Sequence, residues 1–180
     1  MPIVRSRKIE VLFSAEAIAA RNRDLAEAIA LGEKPDLLVI SILKGSFVFA
    51  ADLIRALHGA GLAPEVEFIS VSSYGAGTKS GELKLLRDIE SDVKGRHILL
   101  VDDILESGRT LHFVRELLAE RGASRIAVAV MLNKAGKAQV GVEADYVGFE
   151  CPDRFVVGYG MDVAHAFREL PFIGVVTGDA

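Results

Sequence analysis

Two adjacent carboxylates, Asp102 and Asp103, follow the apolar run Ile98-Leu99-Leu100-Val101. A third, Glu106, precedes the turn Ser107-Gly108-Arg109-Thr110. The apolar run has strand length, and the residues after the turn repeat at helical spacing, so the stretch reads as strand, loop and helix. The amides at a helix start are unpaired and carry roughly half a positive charge. Gly108 lets the backbone come close to a ligand, and Ser107 and Thr110 add hydroxyl donors. The turn therefore reads as a cradle for an anion the size of a monophosphate. The carboxylates beside it repel such an anion and need a cation or neutral hydroxyls, which a hydrated magnesium ion or a sugar diol supplies. Phosphate cradle and acidic pair together describe a site for ribose 5-phosphate. Singly, these residues are also common as helix caps, surface ion pairs and ordinary loop residues. Their joint register favours the functional reading.

Several further elements must position this stretch. Ile9-Glu10-Val11-Leu12 is a short strand, and Ser14 is placed to cap a helix from Ala15 to about Leu31 that Gly32 stops. Leu37 to Leu43 is a continuous apolar run, as expected for a parallel strand buried on both faces, and Phe47 to Leu57 repeats at helical spacing. Lys44-Gly45-Ser46 lies between them, a cation and a glycine at a strand's carboxyl end. Val66 to Ser72 is strand-like, and the glycine-rich Ser73–Gly81 stretch reads as a mobile loop before Leu83-Lys84-Leu85-Leu86. The central helix runs to about Arg121 and stops at Gly122. Ile126 to Leu132 is another buried strand, with Lys134 just past its end, and Asp145 to Phe149 is a further strand candidate. A Gly- and Pro-punctuated segment, Pro152 to Asp162, carries Phe155.

The composition narrows the function classes. A chain of 180 residues, 51% of them hydrophobic, fits one α/β domain, 1–180. A net charge of −4 argues against a nucleic-acid binder. The single cysteine, Cys151, excludes an internal disulfide framework and reads as a small buried hydrophobe in a reducing compartment. His58, His97, His112 and His165 show no zinc-ligand spacing. Arg5, Arg7 and Lys8 are not followed by an apolar signal core, and no apolar run approaches the ~20 residues of a membrane span. A cytoplasmic protein without membrane contact is expected. Gly75-Ala76-Gly77 opens no helix and lacks the third glycine of a dinucleotide-binding turn, and no Walker A sequence exists.

The stretch Val101-Asp-Asp-Ile-Leu-Glu-Ser-Gly-Arg-Thr110 resembles the phosphoribosyl-diphosphate (PRPP) signature of type I phosphoribosyltransferases, and its neighbours resemble the 6-oxopurine branch of that family. The resemblance runs from Leu43 to Arg168. It implies a mainly parallel central sheet flanked by helices, with a small hood over the base site from about 1–13 and 150–177 and a lid loop at about 73–88. Leu43-Lys44-Gly45 matches the family's pyrophosphate-contacting loop, held there by a non-proline cis peptide. Ser73-Tyr74 matches the Ser-Tyr pair of the catalytic lid. Asp102 and Asp103 match the groups that hold the ribose diol or its metal shell, and Glu106, Ser107, Gly108, Arg109 and Thr110 match the 5-phosphate loop. Lys134 matches a lysine donating to the purine O6, Phe155 the aromatic that stacks on the base, and Val156 the backbone that reads the ring edge. Asp162 matches a magnesium-ligating aspartate beside the purine, and Arg168 an arginine facing pyrophosphate. The metal set implied is Asp102, Asp103 and Asp162, with Mg2+ as the cofactor and a homodimer or homotetramer as the assembly.

One position departs from the pattern. The family most often places Asp where this chain has Glu106, and proposes it to accept the purine N7 proton. The extra methylene shifts a carboxylate by more than about 1 Å unless the loop compensates, and misplacement on that scale costs on the order of a hundredfold in rate. The activity implied is phosphoribosyl transfer from PRPP to N9 of hypoxanthine or guanine. The alternatives are transfer to xanthine or a pyrimidine, and a PRPP-binding regulator without chemistry.

Overall fold

A computed structural model describes residues 8–74, 82–134, 136–137 and 140–177, apart from the side chains of Ser73, Tyr74 and Glu82. In chain order the elements are β1 (Lys8–Phe13), α1 (Ala15–Gly32), β2 (Leu38–Leu43), α2 (Phe47–Gly59), β3 (Glu65–Tyr74) and β4 (Glu82–Arg87). They continue with β5 (His97–Leu105), α3 (Arg109–Glu120), β6 (Arg125–Asn133), β7 (Tyr146–Glu150), β8 (Val156–Val157) and β9 (Ile173–Thr177).

The apolar runs become strands because a sheet covered on both faces buries every residue of such a run. Leu37 and Val39 point towards Phe49, Leu53 and Leu57 of α2 and Ile18, Leu25 and Ile29 of α1. Leu38, Ile40 and Ile42 point the opposite way, towards Leu111, Val114 and Leu118 of α3. The residues of both layers are buried, and β5 over Ile98–Val101 and β6 over Ala127–Met131 alternate between them in the same manner.

The main sheet has the order β4-β3-β2-β5-β6-β7. Its neighbours are parallel except β3 and β4, which are antiparallel. The chain leaves β2 through α2 towards β3 and leaves β5 through α3 towards β6, so the winding reverses between β2 and β5. Beyond the carboxyl ends of two such strands an open α/β sheet takes its ligands. The Lys44–Ser46 and Glu106–Gly108 loops both open into that crevice.

One expectation needs correcting. The central strand does not stop at the acidic pair. β5 continues to Leu105 because β6 keeps pairing with it as far as Leu105↔Asn133, whereas β2 pairs only as far as Ser41↔Val101. Asp102 and Asp103 thus stand on a strand with one open edge, facing the crevice. Gly32 ends α1, where the sequence places the stop. A Cβ there would meet the Tyr146 hydroxyl at 2.4 Å, so glycine is required by close packing. Gly122, at φ 87°, does end α3 in the left-handed conformation.

A second, antiparallel sheet of order β1-β9-β8 joins the two chain ends. Phe13 stacks on Phe149 with centroids 4.2 Å apart, tying this sheet to β7. On the outer edge of the main sheet, Arg21 of α1 donates to the carbonyls of Val147 and Gly148, both at 2.7 Å.

Candidate functional site

The turn after β5 forms a small recess of about 80 Å³ lined by Asp102, Glu106, Ser107, Gly108, Arg109 and Thr110 among others. Gly108 sits at φ 76°, a conformation that glycine adopts without a Cβ penalty, and it serves as the N-cap of α3. Ser107 Oγ accepts from the Arg109 amide at 3.4 Å. The recess combines a helix start with hydroxyls, the chemistry of a phosphate seat.

On the other side of Glu106 lies a larger recess of about 190 Å³, lined by Asp103, Ile104, Glu106, Lys134, Phe155, Val156, Met161 and Asp162. Phe155 is 55% exposed, a free aromatic face on which a planar ring can stack. Lys134 is 7% exposed, and its ammonium pairs with Glu106 Oε1 at 3.3 Å. The longer carboxylate of this chain therefore reaches a cation buried in the recess wall. Its amide, bonded to the Leu105 carbonyl at 2.9 Å, fixes the lysine's backbone to the end of β5.

The acidic pair lies between the two recesses. Asp102 Oδ1 accepts from the Asp103 amide at 2.9 Å and Asp103 Oδ1 from the Ile104 amide at 2.8 Å, so each carboxylate satisfies the amide of the next residue. Burial pushes the Asp102 carboxyl well above the usual carboxylate range, and the charge of Asp103 adds to the effect. Burial raises Asp103 too, against hydrogen bonds from Asp102 and the Ile104 amide and the field of Arg168. A pair that resists carrying two negative charges favours a cation or neutral hydroxyl donors. These oxygens suit magnesium, which is bound by one or two carboxylates with the remaining positions filled by substrate oxygens and water. Among the described residues, no three carboxylate, imidazole or thiol groups converge to form an all-protein cage.

The loop after β2 closes the site from the side. The Leu43–Lys44 peptide is cis and Lys44 is exposed. Gly45 leaves no room for a side chain: a Cβ would lie 1.8 Å from Asp103 Oδ2. Against the far side of Gly45 rests Gly160, whose own Cβ would lie 2.3 Å from the Gly45 carbonyl oxygen. Arg168 donates to the Gly160 carbonyl and pairs with Asp162 Oδ1, both at 2.6 Å. Asp162 Oδ2 also accepts from the His165 amide at 2.7 Å. Asp162 thus caps a turn and pairs with Arg168 at once.

Lys134, Phe155, Val156, Asp162 and Glu106 come together around one recess, and Asp102 and Ser107 to Thr110 around its neighbour. Ser73 and Tyr74 end β3, but their side chains and the stretch 75–81 lie outside the described residues. Cys151 is buried, which raises its thiol, in keeping with a packing role. The sequence reading missed Ile104 and Met161 as recess walls. Ile104 is signalled only by strand alternation next to Asp103, and Met161 by no pattern beyond its glycine-rich surroundings.

A family model described as "Phosphoribosyl transferase domain" matches residues 9–164. The hypoxanthine phosphoribosyltransferase of Escherichia coli is 39% identical over 172 residues, covering 93% of this chain and 95% of that protein. The hypoxanthine-guanine phosphoribosyltransferase of Bacillus subtilis is 42% identical over 169 residues, covering 93% and 92%. The crystal structure of a hypoxanthine phosphoribosyltransferase from Staphylococcus aureus superposes with a TM-score of 0.88 at 35% identity, over 96% of this chain and 93% of that one.

Proposed function

The chain belongs to the phosphoribosyltransferase family, and from that premise we propose that it transfers the 5-phosphoribosyl group of PRPP to N9 of hypoxanthine or guanine. The products are IMP or GMP and pyrophosphate, a step of purine salvage. One observation carries the assignment to these residues. A phosphate-sized recess and an aromatic, lysine-bearing recess meet at Glu106, with the acidic pair between them. A ribose spanning that distance would place its hydroxyls at Asp102 and Asp103 and its anomeric carbon towards the base.

The reaction builds positive charge on the ribose ring and negative charge on the departing diphosphate, so positioning and charge stabilisation carry it. Gly108, Ser107 and Thr110 hold the 5-phosphate. Lys134 donates to O6 of the base and Phe155 stacks on its ring, so a 6-oxopurine fits where the amino group of adenine would face the ammonium. Glu106 accepts the N7 proton as the glycosidic bond forms. Lys44 and Arg168 face the diphosphate, and Ser73 and Tyr74 belong to the lid that excludes water. A magnesium ion held by Asp102 or Asp103 with substrate oxygens, and by Asp162 if Arg168 releases it, would neutralise diphosphate charge. We assign the enzyme to the cytoplasm, where a lone thiol stays reduced, and to a homo-oligomer, to be checked by light scattering. No described helix is long and apolar enough to cross a membrane.

The test is pyrophosphate release from PRPP with hypoxanthine, guanine, xanthine, adenine and uracil, with and without magnesium. Activity with hypoxanthine or guanine that chelation abolishes is the expected result. Turnover of uracil alone refutes the base assignment, and PRPP binding without turnover of any base points to a regulator.

A further inference from the structure

Away from both recesses, three consecutive residues, Gly158, Tyr159 and Gly160, have φ values of 94°, 51° and 98°. Glycine reaches this half of backbone space freely; tyrosine does not, and something must hold it there. The Tyr159 side chain is 4% exposed and lodged between the first two helices. Its hydroxyl donates to Asp52 Oδ2 of α2 at 2.7 Å and accepts from Asn22 Nδ2 of α1, also at 2.7 Å. Asn22 is itself buried, and Asp52 is paired with Arg55. The phenol is thus a rung between two helices that pack on the face of the sheet opposite α3.

The rung has a consequence at the other end of the same peptide. Tyr159 and Gly160 donate their amides to the carbonyls of Leu170 and Arg168, at 2.9 and 3.0 Å, which ties the two arms of the 159–170 loop together. Gly160 abuts the Gly45 carbonyl, Gly45 abuts Asp103, and Arg168 grips the Gly160 carbonyl. The Gly160–Gly45 contact is backbone to backbone, and the Asp103 carboxylate and the Arg168 guanidinium that flank it are each tied by further bonds, to the Ile104 amide and to Asp162.

We propose that Tyr159 is a positioning residue. Pinned by Asn22 and Asp52, it sets where Gly160 presses on the Lys44-Gly45 loop and where Arg168 stands, and so fixes the diphosphate end of the substrate site without touching substrate. Phe155, Lys134 and the 106–110 turn are held by other contacts, so the larger effect falls on the diphosphate end. The inference rests on placing Lys44, Gly45 and Arg168 at the diphosphate end.

The test is steady-state kinetics of Tyr159→Phe in the full chain. Losing the bond to a charged acceptor and the bond from Asn22 should raise KM for PRPP on the order of tenfold. KM for hypoxanthine should stay within about twofold. Asp52→Ala should follow Tyr159→Phe, and Asp52→Asn, which keeps an acceptor oxygen, should recover most of the affinity. A lowered Tm with both KM values unchanged, or an equal rise in both, overturns the proposal by making the tyrosine a purely structural anchor. Should Tyr159→Phe fail to fold, Asn22→Ala removes one of the two bonds and must shift KM for PRPP in the same direction. Lys44→Ala tests the premise separately: if it leaves KM for PRPP unchanged, the diphosphate assignment is wrong, whatever Tyr159→Phe does.

Discussion

Glu106→Gln separates two roles that the geometry gives to one carboxylate. The side chain keeps its length, and the amide oxygen can still accept from the Lys134 ammonium now 3.3 Å from Glu106 Oε1. Only the charge and the basicity are removed. Glu106 is 48% exposed, so the ion pair is screened on one side and contributes about 0–1 kcal/mol to stability. For a domain of this size that lowers Tm by at most about 2–4 °C. A general base contributes roughly 10²–10⁴-fold to rate, about 3–5 kcal/mol of barrier. The two effects differ by enough to be read apart. Pyrophosphate release with saturating PRPP, magnesium and hypoxanthine should fall at least about a hundredfold in kcat, while the melting curve barely moves. If kcat stays within about threefold of wild type, Glu106 is only the counter-ion of Lys134 and another group takes the N7 proton. Glu106→Asp probes reach: shortening the side chain by one carbon–carbon bond, about 1.5 Å, opens the gap to the ammonium beyond ion-pair distance unless the turn moves inward.

Gly45→Ala places a methyl carbon 1.8 Å from Asp103 Oδ2, so loop and carboxylate must part; PRPP-dependent turnover should be lost in a protein that still melts cooperatively. Phe155→Ala removes a ring that is 55% exposed; KM for hypoxanthine should rise on the order of tenfold with Tm unchanged, and an unaltered KM removes it from base stacking. At the opposite end of the sheet, burial pushes Glu33 up, but Arg125 at 2.8 and 2.9 Å and the Tyr146 hydroxyl at 3.0 Å outweigh it and hold the carboxyl below its usual value. A lowered folded-state pKa gives stability that is present above the unfolded value of about 4.3 and is lost as pH falls through the folded one. Glu33→Gln should therefore flatten the acid limb of Tm against pH, and an unchanged limb assigns acid sensitivity elsewhere.

Much of this arrangement is legible in the chain because it is local. Unbroken apolar runs of strand length bounded by turn residues read as strands covered on both faces, Ser14 is a capping residue at a helix start, and the acidic pair and hydroxyl turn are contiguous. The remainder depends on pairing between distant segments. That β5 persists through Asp102 and Asp103 follows from β6 outlasting β2 as its neighbour, which no window of sequence contains. The Glu106–Lys134 pair spans 28 residues, and Gly32 is glycine because Tyr146, far along the chain, fills its side-chain space. Tyr159 lies in a segment marked by glycines, but its partners on α1 and α2 carry no pattern that points to it.

The guanidinium of Arg21 covers two main-chain oxygens on the outermost strand, at Val147 and Gly148. Consecutive carbonyls of a strand point to opposite edges, so one of the two lies on the open border, and an incoming strand from another molecule finds that acceptor already occupied. That makes this border a poorer template for the edge-to-edge stacking from which fibres grow.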